Sequence, residues 1–102
     1  MNQRAMMQLK KMQKDMMDAQ KRIAETVFTG TAGGGMVEVK MTGEHEVKSV
    51  KIDPEAFESK DDIEMIEDTI VAAFNDAIKQ IEAETEKSLG GFGGMGGLGG
   101  LF

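Results

Sequence analysis

Two stretches of this chain, residues 3–26 and 59–89, contain neither glycine nor proline. These are the two residue types that cost a helix interior most, so nothing interrupts a helix in either stretch. Between them lies a block rich in β-branched residues and punctuated by glycine, 27–52, and after them a Gly-Gly-X segment, 90–102. A chain of 102 residues is enough for one small domain. This order predicts a single α+β domain over residues 1–89, with long helices flanking strands. The tail over 90–102 has too much glycine to form a packed element and is expected to be disordered.

The first helix carries a 3,4-spaced apolar series, Ala5, Leu9, Met12, Met16, Ala19 and Ile23. At helical steps these fall within an arc of about 80°. Lys10, Lys14 and Lys21 lie opposite, with Arg4, Lys11 and Arg22 flanking them. Five of the ten methionines fall in positions 6–17, where they read more readily as core filling than as a recognition groove. In the last helix Ile63, Ile66, Ile70, Phe74, Ala77 and Ile81 form a second stripe, and its outward residues are mainly acidic. Ser59 with Asp62 resembles a capping box at its start, and Asp53-Pro54 suits a short helical turn through Phe57.

In the middle block Val37, Val39 and Met41 alternate with Glu38, Lys40 and Thr42, a period of two with one buried face. Thr42-Gly43-Glu44-His45 supplies a turn into a strand in which Val50 and Ile52 alternate with Ser49 and Lys51. A shorter strand over Glu25–Thr31 precedes them, joined through Gly33-Gly34-Gly35. That glycine run lacks the Lys-Ser/Thr of a phosphate loop and leads into a strand, so it carries no nucleotide-binding prediction. Strands of about seven residues span roughly 23 Å. Each helix exceeds about 30 Å, so the apolar stripes overrun the sheet. A homodimer with helices projecting from a central sheet region is expected to complete the core.

The net charge of −6 is strongly polarised. Residues 1–26 hold six basic side chains against three acidic ones, for +3; residues 27–57 sum to −2 and residues 58–102 to −7. Residues 1–14 contain four bases and no acid. A basic helix face is ordinarily just solvated, yet a local field of this sign attracts phosphate even on an acidic chain. Asp18 and Glu25 follow Lys14 and Lys21 by one helical turn, as ion pairs would.

Several function classes recede. The absence of cysteine excludes disulfides, a thiolate metal site and a cysteine nucleophile, and it suits a reducing cytosol. The single histidine, His45, stands beside Glu44 and Glu46, but neighbours in a tight turn point apart, so no metal site or catalytic constellation is expected. Asp61-Asp62 and Glu67-Asp68 read as charges near a helix start and on a solvated face. No apolar run approaches the ~20 residues of a membrane span, and the N-terminus leads into an amphipathic stretch, not a secretory core.

The chain resembles the YbaB/EbfC family of bacterial nucleoid-associated, DNA-binding proteins. The similarity covers roughly residues 5–87. It is carried by the Met/Gln/Lys-rich opening (Met6-Met7-Gln8 through Met12-Gln13), then by Val27-Phe28-Thr29-Gly30 and Gly35-Met36-Val37-Glu38-Val39. Gly43, Val50-Lys51-Ile52-Asp53-Pro54 and Glu67-Asp68 with Ala72-Ala73-Phe74-Asn75-Asp76-Ala77 complete it. The resemblance implies an α–β–β–β–α fold with a three-stranded antiparallel sheet. It further implies a tweezer-like homodimer with projecting helices, binding to DNA in the nucleoid with little sequence preference, and no enzymatic activity. Members often carry two consecutive basic residues just after the Asn-Asp-Ala segment; here Ile78-Lys79-Gln80 has one.

The expected mechanism is a cytoplasmic dimer gripping duplex DNA through backbone charge. Arg4, Lys10, Lys11 and Lys14 are the expected phosphate contacts, with Lys21 and Arg22 in support. Five phenylalanines and no tyrosine or tryptophan supply single-strand stacking poorly, which favours duplex. No cofactor, metal, membrane or small-molecule substrate is expected. The alternative is a protein-interaction adaptor clasping its partner through the Met-rich helices.

Overall fold

The computed structural model describes residues 2–56 and 58–89. The expectations for the 90–102 tail and for Phe57 lie outside the described residues. Helix α1 (Gln3–Glu25) leads into strands β1 (Val27–Ala32), β2 (Val37–Thr42) and β3 (Val47–Ile52). Two 3₁₀ turns, Pro54–Ala56 and Lys60–Asp62, then precede helix α2 (Ile63–Leu89). The three strands form an antiparallel sheet in the order β1-β2-β3, the expected α–β–β–β–α arrangement.

The helix boundaries follow from their caps. Asn2 stands extended ahead of α1, and its side-chain oxygen accepts from the Ala5 amide at 2.7 Å. At the other end Thr26 turns extended while its amide donates to Arg22 and Ile23 carbonyls, satisfying groups the helix leaves open. The capping box at Ser59 forms: Asp61 donates its amide to the Ser59 hydroxyl at 3.2 Å, and Asp62 accepts from the Ser59 amide at 3.2 Å. It opens on the 3₁₀ turn that runs directly into α2.

The β1–β2 turn needs all three of its glycines, since Gly33, Gly34 and Gly35 have φ of 66°, 68° and 93°. Val37, Val39 and Met41 of the central strand point under α2, where they pack with Ala73, Ala77 and Ile81; Phe28, Ala32, Met36, Ile70, Phe74 and Ile78 border this core. The helix approaches closely because β1 offers no side chain at Gly30. A Cβ there would run into the Ala73 carbonyl and the Ala77 amide. Small residues on both surfaces are thus one packing feature. Along the free edge of β1, the Thr31 amide donates to Asp76 at 2.9 Å, and Gln80 donates to the Thr29 carbonyl at 2.7 Å. Two side chains of α2 therefore satisfy backbone groups of an edge strand that would otherwise template pairing with another chain.

The third strand departs from the simple alternation expected of it. A bulge at Lys40/Met41 pairs Met41 with Val47 but Lys40 with Ser49. This extra residue brings Val47 onto the same face as Val50 and Ile52, the partners of Val39 and Val37. That face is apolar yet uncovered within one chain, with Val47 and Val50 each 43 % exposed and Ile52 37 %. The physical reason is that α2 lies chiefly over β1 and β2.

The α1 stripe is also incompletely covered. Ile23 is buried, Met16, Ala19 and Ala24 are half-buried, and from Gln3 to Asp15 every residue but Ala5 is exposed. At the buried end α1 presses its backbone on the β2–β3 turn, where a Cβ on Gly43 would strike the Ile23 carbonyl and where the Gly43 amide donates to the Thr26 carbonyl at 3.1 Å. The rest of α1 projects, giving a molecule 70 Å long and 24 by 17 Å across.

Candidate nucleic-acid interface

Helix α1 presents the basic residues as a projecting rod. Arg4, Lys10, Lys11, Lys14, Lys21 and Arg22 are all exposed. From Arg4 to Lys21 the helix rises about 26 Å. Lys10, Lys14 and Lys21 point away from the apolar stripe, and Arg4, Lys11 and Arg22 line one of its edges.

The six expected contacts are not equivalent. Arg22 is engaged inside the chain: its guanidinium lies 3.4 Å from the Glu84 carboxylate and donates to the Ser88 hydroxyl at 2.9 Å. Ser88 in turn donates to Glu84 at 2.9 Å. These bonds, the Ser88 hydroxyl first and Arg22 second, hold the Glu84 carboxyl below its ordinary value of 4.5. The group is well solvated, so this is a positional brace between the C-terminal ends of α1 and α2 rather than a large stabilising contact. The sequence sets Arg22 nearer the apolar stripe than Lys21; that α2 meets this edge of α1 makes Arg22 the one engaged. Lys14 pairs with Asp18 at 3.2 Å, the helical partner expected, with both side chains mostly in solvent. The corresponding Lys21–Glu25 pair does not form, and Arg4, Lys10, Lys11 and Lys21 have no carboxylate within salt-bridge distance among the described residues.

The acidic residues at the start of α2 lie elsewhere. Asp61, Glu64 and Asp68 border an open groove with Ala32, Gly33 and Thr69, at the start of α2. The two helices meet near their C-terminal ends, through Arg22, Glu84 and Ser88, so the basic N-terminal half of α1 and this acidic groove are set apart along the long axis of the molecule. Arg4, Lys10, Lys11 and Lys21 thus leave positive charge along α1 without a carboxylate in salt-bridge distance among the described residues.

Lys79 is the one basic residue in Ile78-Lys79-Gln80, directly after the Asn-Asp-Ala segment, and its neighbour Gln80 has a defined place. Its side-chain amide donates to the Thr29 carbonyl at 2.7 Å and to the Asp76 carboxylate at 3.2 Å, satisfying the sheet edge. His45 sits exposed in the β2–β3 turn with a positive φ of 69°. No described helix is long and apolar enough to cross a membrane.

Residues 1–96 match the model of the YbaB/EbfC DNA-binding family. A nucleoid-associated protein of Dictyoglomus turgidum is 43 % identical over 86 residues, covering 84 % of this chain and 82 % of the relative. A nucleoid-associated protein of Xanthomonas oryzae is 48 % identical over 85 residues, covering 83 % and 77 %. Among solved structures, that of an uncharacterized protein from Helicobacter pylori superposes with a TM-score of 0.64 at 27 % identity, covering 85 % of this chain and 91 % of that one.

Proposed function

The chain belongs to the YbaB/EbfC DNA-binding family, and from that premise we propose that two copies associate through their sheet regions and grip duplex DNA with the basic arms of α1. The observation that carries this reading is the arm itself, an exposed helix from which Arg4, Lys10, Lys11 and Lys21 project with no acidic partner among the described residues. Lys14 joins them because its pairing with Asp18 is solvent-exposed and yields readily to a phosphate. Arg22 acts differently. It holds the root of the arm against α2 and contributes positive potential from there.

Lysines make flexible point contacts to phosphate and leave base edges unread, so the complex has little sequence preference. Association of two chains follows from the uncovered apolar face of β3, Val47, Val50 and Ile52, which continues the core surface of Val37, Val39 and Met41. A second copy seated there doubles the number of arms, and two weak grips on one duplex act with a raised effective concentration. On this reading the protein acts in the nucleoid, where it organises DNA and influences transcription.

Electrophoretic retention tests the reading. The wild-type chain should retard random duplex and supercoiled DNA alike, and single-stranded DNA less. The variant K10E/K11E/K14E should retard none of them while keeping its circular dichroism spectrum. Undiminished retention by that folded variant would place the interface elsewhere. In parallel, sedimentation should give twice the 11.1 kDa chain mass, and Val50→Asp should return it to a single chain.

A further inference from the structure

The two ends of the molecule carry opposite charge beside exposed apolar side chains. On α1, Met7, Lys10 and Lys14 follow one another at three and four residues, so they share a face, and Met7 is 69 % exposed there. On α2, Met65, Asp68 and Ala72 repeat that spacing, with Glu64 one turn before Asp68, and all four are exposed. Each set rises about 10 Å along its helix. Asp61, Glu64 and Asp68 have no basic partner in salt-bridge distance among the described residues; Lys10 has no acidic one, and Lys14 has only the solvent-exposed Asp18.

Met65 and Ala72 belong to the open groove that the carboxylates border. Among the described residues no buried side-chain polar atom lacks a partner, so the groove aims no unspent donor or acceptor at a small ligand. What it offers is carboxylate and apolar surface, the complement of the α1 face. The arm of the same chain does not reach it. Helices α1 and α2 meet through Arg22, Glu84 and Ser88, and the groove lies at the far end of a molecule 70 Å long. A copy seated on β3 leaves the groove open as well, because Ala32 and Gly33 close it at the end of β1, the opposite edge of the sheet. Two arms laid together would set lysine against lysine, whereas arm and groove attract.

We propose that the groove at the start of α2 receives the N-terminal half of α1 from a further copy of this chain, with Lys10 and Lys14 beside Glu64 and Asp68 and Met7 against Met65 and Ala72. Arm and groove are different surfaces at opposite ends, so the contact is heterologous and adds copy to copy instead of closing on itself. Lys10 and Lys14 cannot serve a neighbouring copy and a phosphate at once, so duplex DNA competes with this association. That competition rests on the DNA-binding reading; the association does not, and it is tested without DNA.

Sedimentation of the full chain at two salt concentrations provides the test. At about 0.01 M salt, where charges act over about 30 Å, the weight-average mass should climb with protein concentration to roughly twice its value at about 0.15 M or more. The moderate-salt mass is the reference, so the outcome does not depend on how many chains the sheet joins. K10E/K14E and E64K/D68K, changes at exposed positions, should each keep the wild-type circular dichroism spectrum and stay at the reference mass in low salt. The milder E64Q/D68N should lower the low-salt mass on its own. Mixing K10E/K14E with E64K/D68K should restore the heavier species, since every arm then finds grooves of opposite charge. A wild-type mass that does not rise in low salt, heavier species that persist in E64K/D68K or E64Q/D68N, or a mixture of the two reversed variants that stays at the reference mass would overturn the proposal.

Discussion

Helices α1 and α2 are nearly matched in length, at 23 and 27 residues, and each has one apolar stripe, yet the fold uses them in opposite ways. Helix α2 has four buried residues, Ile66, Ala73, Ala77 and Ile81, and its polar side chains Asp76 and Gln80 reach back to complete the edge of β1. Helix α1 buries Ile23 and leaves its N-terminal half in solvent. An amphipathic pattern thus says that a face will be covered, but the covering surface decides how much of it. One three-stranded sheet suffices for most of one helix, and the other becomes an arm whose charged side faces outward.

The sharpest way to break this contrast is to remove an apolar side chain from each helix. Ile81→Ala should destabilise the fold by about 3 kcal/mol, since it empties a site 3 % exposed in the core. Met7→Ala, at a position 69 % exposed on the arm, should change stability by less than about 0.5 kcal/mol. Urea denaturation of both variants checks the pair, and equal losses would mean that α1 is packed as α2 is. On the binding side the order reverses. K10E/K11E/K14E should weaken duplex affinity by about 100-fold, or about 2.7 kcal/mol, measured by fluorescence anisotropy at low salt. Neutralising the α2 groove with D61N/E64Q/D68N should leave affinity unchanged or raise it a few-fold, by relieving long-range repulsion.

A smaller effect probes the edge that α2 protects. Asp76→Ala removes the acceptor for the Thr31 amide and should cost about 1 kcal/mol, with faster hydrogen exchange at Thr31. Smallest is the brace between the helices. The folded-state value of Glu84 lies below the ordinary 4.5, so its contribution is fully present above that value and is lost as pH falls through the lower folded one. The protection of the amides around Arg22 and Ser88, measured as the slowing of their exchange relative to unstructured chain at the same pH, should therefore fall on acidification below 4.5, and Glu84→Gln should remove that acid-dependent component.

Much of this was legible from residue pattern. Glycine- and proline-free stretches bounded both helices to within a few residues, because a helix needs only local propensity and caps such as Asn2 and Ser59 to declare its ends. The buried alternation of Val37, Val39 and Met41 marked the central strand for the same local reason. The first strand runs Val27–Ala32 rather than from Glu25, because α1 persists to that residue. What local pattern does not carry is anything set by contacts across the fold. The bulge that turns Val47 to the apolar face depends on pairing with β2, the closeness of Gly30 to Ala73 and Ala77 depends on where α2 crosses, and the diversion of Arg22 to Glu84 and Ser88 depends on two residues more than sixty positions away. Six bases on one helix were visible together, but which of them stand unopposed required the packing of α2.

The claim that the basic arm of α1 binds the DNA backbone is tested most directly by the salt dependence of duplex affinity. With about four phosphates neutralised per arm, the logarithm of the association constant should fall linearly with the logarithm of salt concentration, with a slope of about −3.6 for one arm and about twice that for two. In K10E/K11E/K14E the slope should collapse towards zero together with the affinity. A wild-type affinity that does not change with salt, or a steep slope left intact in that variant, would contradict the account.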